Sequence, residues 1–147
     1  QMGVGMQGRF ARFDAKLSFN PDKPQAAYTE FEVDLSSIDT GFTEANEEVL
    51  GKDWFNVAAH PKARFISKTV RRVGPGRYEV QGLLSIKGRT RTAVAPFTLT
   101  TQGQRAIFEG AFTIHRLDYN IGEGPWADIS AVANEVQIQF RLVALPR

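Results

Sequence analysis

Apolar and polar residues alternate along most of this chain. From Arg12 to Phe19 the letters RFDAKLSF switch between polar and apolar residue by residue. Because successive side chains of a strand point to opposite faces, this period of two predicts a half-buried β-strand. The same alternation returns in TEFEVDL at 29–35, GRYEVQGLLSI at 76–86, residues 106–114 and EVQIQFRLVA at 135–144. The pattern predicts a series of antiparallel strands.

Turn-forming residues separate these segments. NPDKP at 20–24, GPG at 74–76, KGRT at 87–90 and TQGQ at 101–104 place glycine, proline and small polar residues between the strands. One helix is predicted from Thr43 to Leu50, with Thr43 as its N-cap, acidic residues in its first turn and Gly51 ending it. Short connections between long strands indicate a meander with little helix.

A sheet with one apolar face has to pack on a second layer or close on itself. A closed barrel covers the apolar face and also removes the exposed edges. Ten residues at roughly 3.3 Å each give strands of about 30 Å, long enough for a deep barrel. The sequence therefore predicts an all-β fold, an antiparallel β-barrel of about eight strands with an interior that could hold a long ligand.

Composition is that of one globular domain spanning residues 1–147. The chain is 42% hydrophobic and 23% charged, has a net charge of +2 and contains no cysteine. The lack of cysteine excludes disulfides, thiolate metal sites and thiol nucleophiles. The basic residues are scattered and no stripe of them is interleaved with exposed aromatics, so nucleic-acid binding is not expected. No segment has the length and apolarity of a membrane-spanning helix.

Candidate catalytic chemistry is sparse. His60 and His115 are the only histidines and lack companions at metal-ligand spacing, so no metal site is predicted. Arg116 and Asp118 could form an ion pair at a strand end or present a charge to a ligand head group, and the ion pair is the preferred interpretation. The sequence contains no Gly-x-Ser-x-Gly elbow, phosphate-binding glycine loop or His-Glu-x-x-His motif. The protein is predicted not to be an enzyme, although a site assembled from distant residues stays open.

Several ordered motifs resemble one family. SSIDTGFTEANEEVLGKDWFNVAAHPKARFIS at 36–67, GRYEVQGLLSIKGRT at 76–90 and HRLDYNIGEGPWADISAVANEVQIQF at 115–140 are similar to YceI-like, polyisoprenoid-binding proteins, from about Gly8 to the C-terminus. This resemblance implies a lipocalin-like antiparallel barrel with a short helix near one end. It also implies an elongated apolar tunnel for isoprenoid tails, often of quinones, and a bacterial periplasmic setting.

Two features depart from the family pattern. Members usually begin with another strand, whereas this chain opens with QMGVGMQGRF. A first strand is therefore expected to be missing upstream, and any signal peptide is expected to lie upstream as well. Many members carry Arg-Asp in the short helix where this chain has Ala45-Asn46, so any role of that charged pair does not transfer.

The function predicted from the resemblance is non-catalytic binding, transport or storage of a long isoprenoid lipid, a polyprenyl quinone such as ubiquinone or a polyprenyl phosphate. The alternative is a scavenging binder of other amphiphiles, such as fatty amides or hydrophobic antibiotics. No cofactor is expected beyond the lipid itself. The ligand-binding candidates are Phe13, Leu17, Phe19, Phe31, Val33, Leu35, Trp54, Phe55, Tyr78, Val80, Phe97, Leu99, Phe112, Ile114, Trp126 and Ile138. For any single one of them, plain core packing is the favoured reading, because alternation cannot distinguish a filled interior from a hollow one.

Trp54 and Phe55 follow the predicted helix and are expected to cover something apolar. Two hypotheses stay open: a lid over the tunnel mouth, or a plug of the core. Trp126 in GEGPW has the same pair of interpretations. An open seam at the N-terminus, or the strand edge at 136–142, predicts a homodimer, and transient membrane contact is a further expected interaction.

Overall fold

Nine β-strands and one α-helix form the regular structure of residues 7–145, the part of the chain that the computed structural model describes. The strands are β1 (Arg9–Phe10), β2 (Phe13–Ser18), β3 (Tyr28–Asp34), β4 (Ile38–Asp39), β5 (Lys62–Gly74), β6 (Arg77–Ile86), β7 (Arg89–Gln102), β8 (Arg105–His115) and β9 (Glu135–Ala144), and the helix is α1 (Thr43–Leu50). Short 3₁₀ turns lie at Pro24–Ala26, Leu35–Ser37, Arg116–Tyr119 and Gly124–Ala127. Within these residues no helix has the length and apolarity needed to cross a membrane. The prediction that a first strand is missing upstream concerns a segment outside residues 7–145.

Seven of the strands form one curled antiparallel sheet in the order β2-β3-β5-β6-β7-β8-β9. β1 and β4 form a separate two-stranded pair. The sheet curls into a half-barrel, so the predicted lipocalin-like antiparallel fold with one short helix is confirmed. Within residues 7–145, β2 and β9 each have one neighbour in the sheet and form its two edges. The homodimer through such an edge stays a prediction.

The sheet has two ends that differ in their connections. The segments 35–61 and 116–134 both start and finish at the end of the sheet where β3 and β8 terminate, and the first of them contains α1. We call this the helix end. The opposite end carries the tight turns at 75–76 and 103–104 and the connection 19–27. Long connections thus cover only one end of the half-barrel.

The predicted alternation corresponds to an inner and an outer face. Along β6 the inner residues Tyr78, Val80, Leu84 and Ile86 are all buried, whereas Gln81 between them is exposed. Phe97 and Ala95 on β7, the register partners of Tyr78 and Val80, are buried on the same face, and so is Ala93 opposite Gly82. The two-residue alternation of the sequence thus agrees with the burial of the side chains. It does so because the sheet curls around its own apolar face.

The core divides into two clusters along the inner face. The helix-end cluster contains Leu35, Ala63, Leu84, Ile86, Ala93, Ile114, Tyr119 and Ile121. The opposite-end cluster contains Val70, Tyr78, Val80, Ala95, Phe97 and Phe108. Phe65 and Phe112 are partly buried and pack against both clusters, so the middle of the inner face is aromatic.

Two glycines allow phenylalanine rings to lie directly against the sheet in this middle region. A Cβ placed on Gly82 would be 2.5 Å from Cζ of Phe65 and would overlap the carbonyl oxygen of Ile66. A Cβ on Gly110 would be 2.5 Å from Cζ of Phe140, its register partner on β9. Glycine is required at both positions because a neighbouring ring occupies the space of its side chain.

Helix α1 has the predicted bounds, but the predicted cap is wrong. Phe42 is the N-cap residue and makes no side-chain capping bond, and Thr43 is the first helical residue. Asn46 instead accepts hydrogen bonds from Thr40, from its backbone N–H at 2.7 Å and its hydroxyl at 2.6 Å. The Asn46 amide therefore ties the preceding loop to the helix.

The ladder between β7 and β8 covers only part of their length. Pairing extends from Gln102 with Arg105 to Phe97 with Gly110 and stops there. The next residue of β7 is Pro96, whose carbonyl oxygen lies against Gly110 and therefore points toward β8. The N–H and C=O of one strand residue point the same way, so the donor that proline lacks is missing on the β8 side. The break coincides with that proline.

Replacing Gly82 with alanine is expected to destabilise the fold by about 1–3 kcal/mol, because the new methyl group overlaps the Phe65 ring and a backbone carbonyl. Urea unfolding measures the change. Gly51→Ala is the control, since Gly51 ends α1 with φ −74° and no ring occupies its Cβ space. Equal stability of the two variants would show that the ring does not lie where the structure places it.

Candidate functional site

The inner face of the sheet forms an apolar groove between the edge strands β2 and β9. Its floor on β6 and β7 is buried, as shown by Val80, Leu84 and Ala95. Its walls are more open, and Phe13 on β2 is 50% exposed. Aromatic and aliphatic side chains that face the groove from the walls and the middle are partly buried: Phe31, Val33, Phe65, Phe112, Ile138 and Phe140. The groove is a continuous apolar surface that residues 7–145 leave partly uncovered.

Two polar residues of the inner face have their hydrogen bonds satisfied inside the sheet. The hydroxyl of Ser67 accepts a bond from the N–H of Thr29 at 2.9 Å. The hydroxyl of Thr29 donates to the carbonyl of Lys16 at 3.1 Å. Since both groups are occupied by the protein itself, they do not make the groove polar.

The charged side chains of β2, β3 and β5 lie on the outer face. Arg12 pairs with Asp34 at 2.9 Å, Lys62 with Glu32 at 3.3 Å, and Arg64 with Glu30. The hydrogen bond from Arg64, followed by that from Tyr28, lowers the pKa of Glu30. These surface pairs contribute little stability. Their position leaves the groove side of these strands apolar.

Aromatic rings close the groove at the opposite end. Phe19 enters from the 19–27 connection and makes edge-to-face contacts with Tyr78 at 5.2 Å, Phe108 at 5.4 Å and Phe97 at 6.3 Å between ring centroids. Tyr78 and Phe97 stack on one another at 5.4 Å. Edge-to-face and stacked ring pairs stabilise the structure beyond the apolar area that they bury. The four rings fill this end with the protein's own side chains.

The helix end is covered by a second group of aromatic residues. Trp54 lies 5.5 Å from Trp126, and Phe55 lies 6.1 Å from Phe10. Trp54 and Phe55 both pack against the helix-end core cluster. The indole Nε1 of Trp54 is buried without a hydrogen-bond partner in the described part of the chain. This cover holds together by apolar contact more than by side-chain hydrogen bonds.

Arg116 fixes the backbone of this cover. It is 1% exposed, and its guanidinium donates to five carbonyl oxygens of one loop: Ala133 at 2.9 Å, Ile121 at 2.9 Å, Gly122 at 3.3 Å, Trp126 at 2.7 Å and Val132 at 2.8 Å. A guanidinium has five N–H donors, so all of them are matched.

The predicted ion pair of Arg116 with Asp118 is therefore wrong. The carbonyl groups of the loop replace the carboxylate, and Asp118 lies instead 4.0 Å from Nδ1 of His115. Burial lowers the pKa of Arg116, but a guanidinium keeps its proton in proteins. The result is a buried cation neutralised by backbone dipoles.

The same guanidinium contacts the aromatic cover. Its Cζ lies 5.8 Å from the centre of the Trp54 ring, within the range of a cation–π interaction. The carbonyl of Asp53 accepts hydrogen bonds from the N–H groups of Gly122 and Glu123, both at 2.7 Å. Gly122 has φ +89°, and a Cβ there would overlap Nη1 of Arg116. Arg116 thus holds the two connections of the helix end together.

Two open cavities lie outside the groove. One of about 380 Å³ is formed by α1 and residues 51–54, and one of about 180 Å³ lies between β7 and β8. Of the sixteen predicted ligand-binding residues, Trp54 lines the first and Ile114 the second. Neither of these two cavities runs along the inner face of the half-barrel, so the expected apolar tunnel stays a prediction.

Comparison with known proteins identifies the family. The model of the YceI-like domain matches residues 1–144. The chain belongs to the YceI-like family. A UPF0312 protein of Azotobacter vinelandii is 29% identical to this YceI-like chain over 139 residues, covering 90% of the chain and 70% of the relative. The chain spans about two thirds of the length of the curated relatives that it matches.

Solved structures share the same fold. BcnA of Burkholderia cenocepacia superposes with a TM-score of 0.95 at 39% identity, covering 97% of this YceI-like chain and 90% of BcnA. A polyisoprenoid-binding domain from Saccharophagus degradans, implicated in plant cell wall breakdown, superposes with a TM-score of 0.75 at 16% identity, covering 99% and 89%. The second likeness is one of fold.

The residues predicted from the YceI-like pattern fall into three places. Phe13, Leu17, Phe31, Val33, Phe112 and Ile138 face the groove from its walls and middle; Phe19, Tyr78, Val80, Phe97 and Leu99 pack at the opposite end; Leu35, Trp54, Phe55, Ile114 and Trp126 lie at the helix end. Phe65 and Phe140 were missed as groove residues; Phe140 lies between the polar Gln139 and Arg141, which was a usable signal, whereas Phe65 is followed by the apolar Ile66. Arg116 carried no such signal, because its partners are backbone carbonyls.

Arg116→Lys is expected to destabilise the protein by at least about 2 kcal/mol, because an ammonium has three donors and leaves buried carbonyls unpaired. Urea unfolding measures the loss. The emission of Trp54 and Trp126, the only two tryptophans, is expected to shift to longer wavelength as the cover loosens.

Arg71→Lys is the matched control. The Arg71 side chain is 70% exposed and pairs with Glu79 at 3.0 Å, so its replacement is expected to cost under about 1 kcal/mol. An Arg116→Lys variant with the stability and emission of the control would contradict the role given to the carbonyl cage.

Proposed function

We propose that this YceI-like protein binds one long, flexible, apolar molecule in the groove between β2 and β9, and that the ligand is an isoprenoid lipid. The observation that carries the proposal is the partial exposure of Phe31, Phe112, Ile138 and Phe140, which face the interior of the half-barrel. Continuous apolar surface of this kind marks a binding groove or an interface in soluble proteins. A flexible chain fits a long groove that is closed at both ends by aromatic rings.

The length of the groove matches a long tail. The ten residues of β6 extend over about 30 Å between the two groups of closing rings. Burial contributes about 0.8 kcal/mol per methylene, so one five-carbon unit gives about 4 kcal/mol before ordering costs. Three buried units therefore provide about 12 kcal/mol gross, which corresponds to nanomolar binding before those costs are subtracted. Affinity comes from the tail, and polar groups at the rim select the head group.

The comparisons support this ligand class through the fold. The Saccharophagus degradans neighbour is named as a polyisoprenoid-binding domain. Transfer of its ligand class to this chain is part of the proposal, as are a transport or storage role, a quinone head group and a periplasmic location. The proposal contains no catalytic step.

The first test is a titration of protein freed of lipid with a prenyl quinone and with squalene, each followed by displacement of a fluorescent fatty-acid probe. Displacement by both isoprenoids supports the proposal. Displacement by fatty amides or hydrophobic antibiotics alone would favour the scavenging function instead. Failure of every apolar ligand to displace or replace the probe would refute binding in the groove.

Ile138→Gln is expected to weaken binding of both isoprenoids about tenfold or more, because one groove contact of an isoleucine side chain is lost. Gln139→Ala is the control, since Gln139 is the neighbouring residue on the outer face of the same strand. The displacement titration measures both variants. Equal affinities of the two variants would place the ligand elsewhere.

A further inference from the structure

Charged residues are distributed unevenly between the two ends of the sheet. The connections of the helix end, 35–61 and 116–134, contain eight acidic residues and only two basic ones, Lys52 and the buried Arg116. These connections therefore carry a net charge of −6, whereas the rest of the chain carries +8. The negative charge of the protein is concentrated at the helix end.

The connections of the opposite end carry basic residues instead. Lys23 lies in the 19–27 connection, Arg71, Arg72 and Arg77 flank the 75–76 turn, and Arg105 follows the 103–104 turn. All five are exposed, and we call them the basic tip. The segments 19–27, 71–77 and 103–105 contain one acidic residue, Asp22.

Most of the basic tip is not neutralised by carboxylates. Arg71 pairs with Glu79 at 3.0 Å. Within residues 7–145, the other four members of the basic tip have no carboxylate oxygen within 4.0 Å. The opposite end therefore presents uncompensated positive charge to its surroundings.

Two of the guanidinium groups lie over the backbone of the 75–76 turn. Nε of Arg72 donates to the carbonyl oxygen of Gly74 at 3.2 Å. A Cβ placed on the same glycine would be 2.8 Å from Nη2 of Arg77. Both cations are thus held at one residue of an exposed turn. Their remaining N–H donors suit phosphate oxygens, which guanidinium groups bind with paired hydrogen bonds.

An exposed apolar side chain lies between these arginines. The ladder between β5 and β6 is irregular between Arg72 and Gly74, so Val73 has no register partner, and it is 46% exposed. Leu145, which follows β9 at the same end, is 68% exposed. Cations beside exposed apolar residues are typical of surfaces that bind bilayers, because the cations contact anionic head groups while the apolar side chains enter the boundary of the acyl chains.

The charges also select one end of the molecule over the other. The helix end exposes apolar residues as well, since Phe42 is 66% and Ile129 61% exposed. These residues lie beside acidic ones in the sequence, at Glu44 and Asp128. An anionic surface repels the helix end and attracts the basic tip.

We propose that the basic tip, together with Val73 and Leu145, docks the protein on a bilayer that contains anionic phospholipids. In this orientation the turns at 75–76 and 103–104 face the bilayer and the helix end points away from it. The contact requires no lipid in the groove, so the inference goes beyond the proposed function and does not rest on it.

Sedimentation with lipid vesicles tests the docking surface. The unaltered protein is expected to bind vesicles of equal parts phosphatidylglycerol and phosphatidylcholine, to be released by salt, and to bind phosphatidylcholine vesicles far more weakly. The double variant Arg72→Gln/Arg77→Gln is expected to bind the anionic vesicles about twenty-fivefold more weakly, at about fivefold for each arginine.

Arg89→Gln/Arg91→Gln is the matched control. It removes the same charge from two exposed positions at the helix end of β7, and its affinity is expected to change by no more than about twofold. Equal losses in the two double variants would reduce the attraction to net charge and overturn the docking surface. Failure of the unaltered protein to bind anionic vesicles would also overturn it, and would leave the groove as a lipid site unaffected.

A second pair of variants separates a bilayer from a soluble polyanion. Val73→Ser is expected to weaken binding to the anionic vesicles about three- to tenfold, because an apolar contact with the bilayer is lost. Val94→Ser is the control, since Val94 is 45% exposed on the outer face in the middle of β7. Equal affinities of the two variants would mean that charge alone is recognised, as by a soluble polyanion, and would overturn docking on a bilayer.

Discussion

A single curled sheet that covers its own apolar face is the constraint on which the rest of this structure depends. On the middle strands the inner residues are buried, from Tyr78 to Ile86 on β6 and from Ala93 to Phe97 on β7. The edge strands β2 and β9 have one neighbour each within residues 7–145, and their inner residues are only partly covered. The apolar side chains that remain partly exposed are therefore concentrated in one groove. An apolar ligand in the groove would bury the inner residues of the edge strands, as the sheet itself buries those of the central strands.

The ends of the groove are closed by two different physical means. At the opposite end, rings such as Phe19 and Phe108 pack edge to face, and no charge is involved. At the helix end, Arg116 is buried among five carbonyl groups and contacts Trp54. A buried cation without a carboxylate partner is tolerated because each donor meets an oxygen. This arrangement fixes the aromatic cover while leaving its indole rings free of strong side-chain hydrogen bonds.

The sequence predicts this fold well wherever local alternation decides the structure. Tyr78 to Ile86 show the period of two, and their burial follows it. Alternation cannot report on edges, so Phe13 was expected to be an inward residue like Leu35, yet it is half exposed because β2 is an edge strand. Pro96 carried a usable signal for the break between β7 and β8, since proline lacks a backbone donor. The partners of Arg116 could not be predicted, because every residue has a backbone carbonyl and no residue type marks such a partner.

The central claim is that the groove holds an isoprenoid lipid. It is tested most directly by mass spectrometry of the organic extract of the protein purified from the cells that make it, beside a boiled control sample. The account predicts a stoichiometric amount of a prenyl lipid. An empty extract from protein that also fails to take up added prenyl quinone would contradict the account and show that the groove is closed by the protein itself.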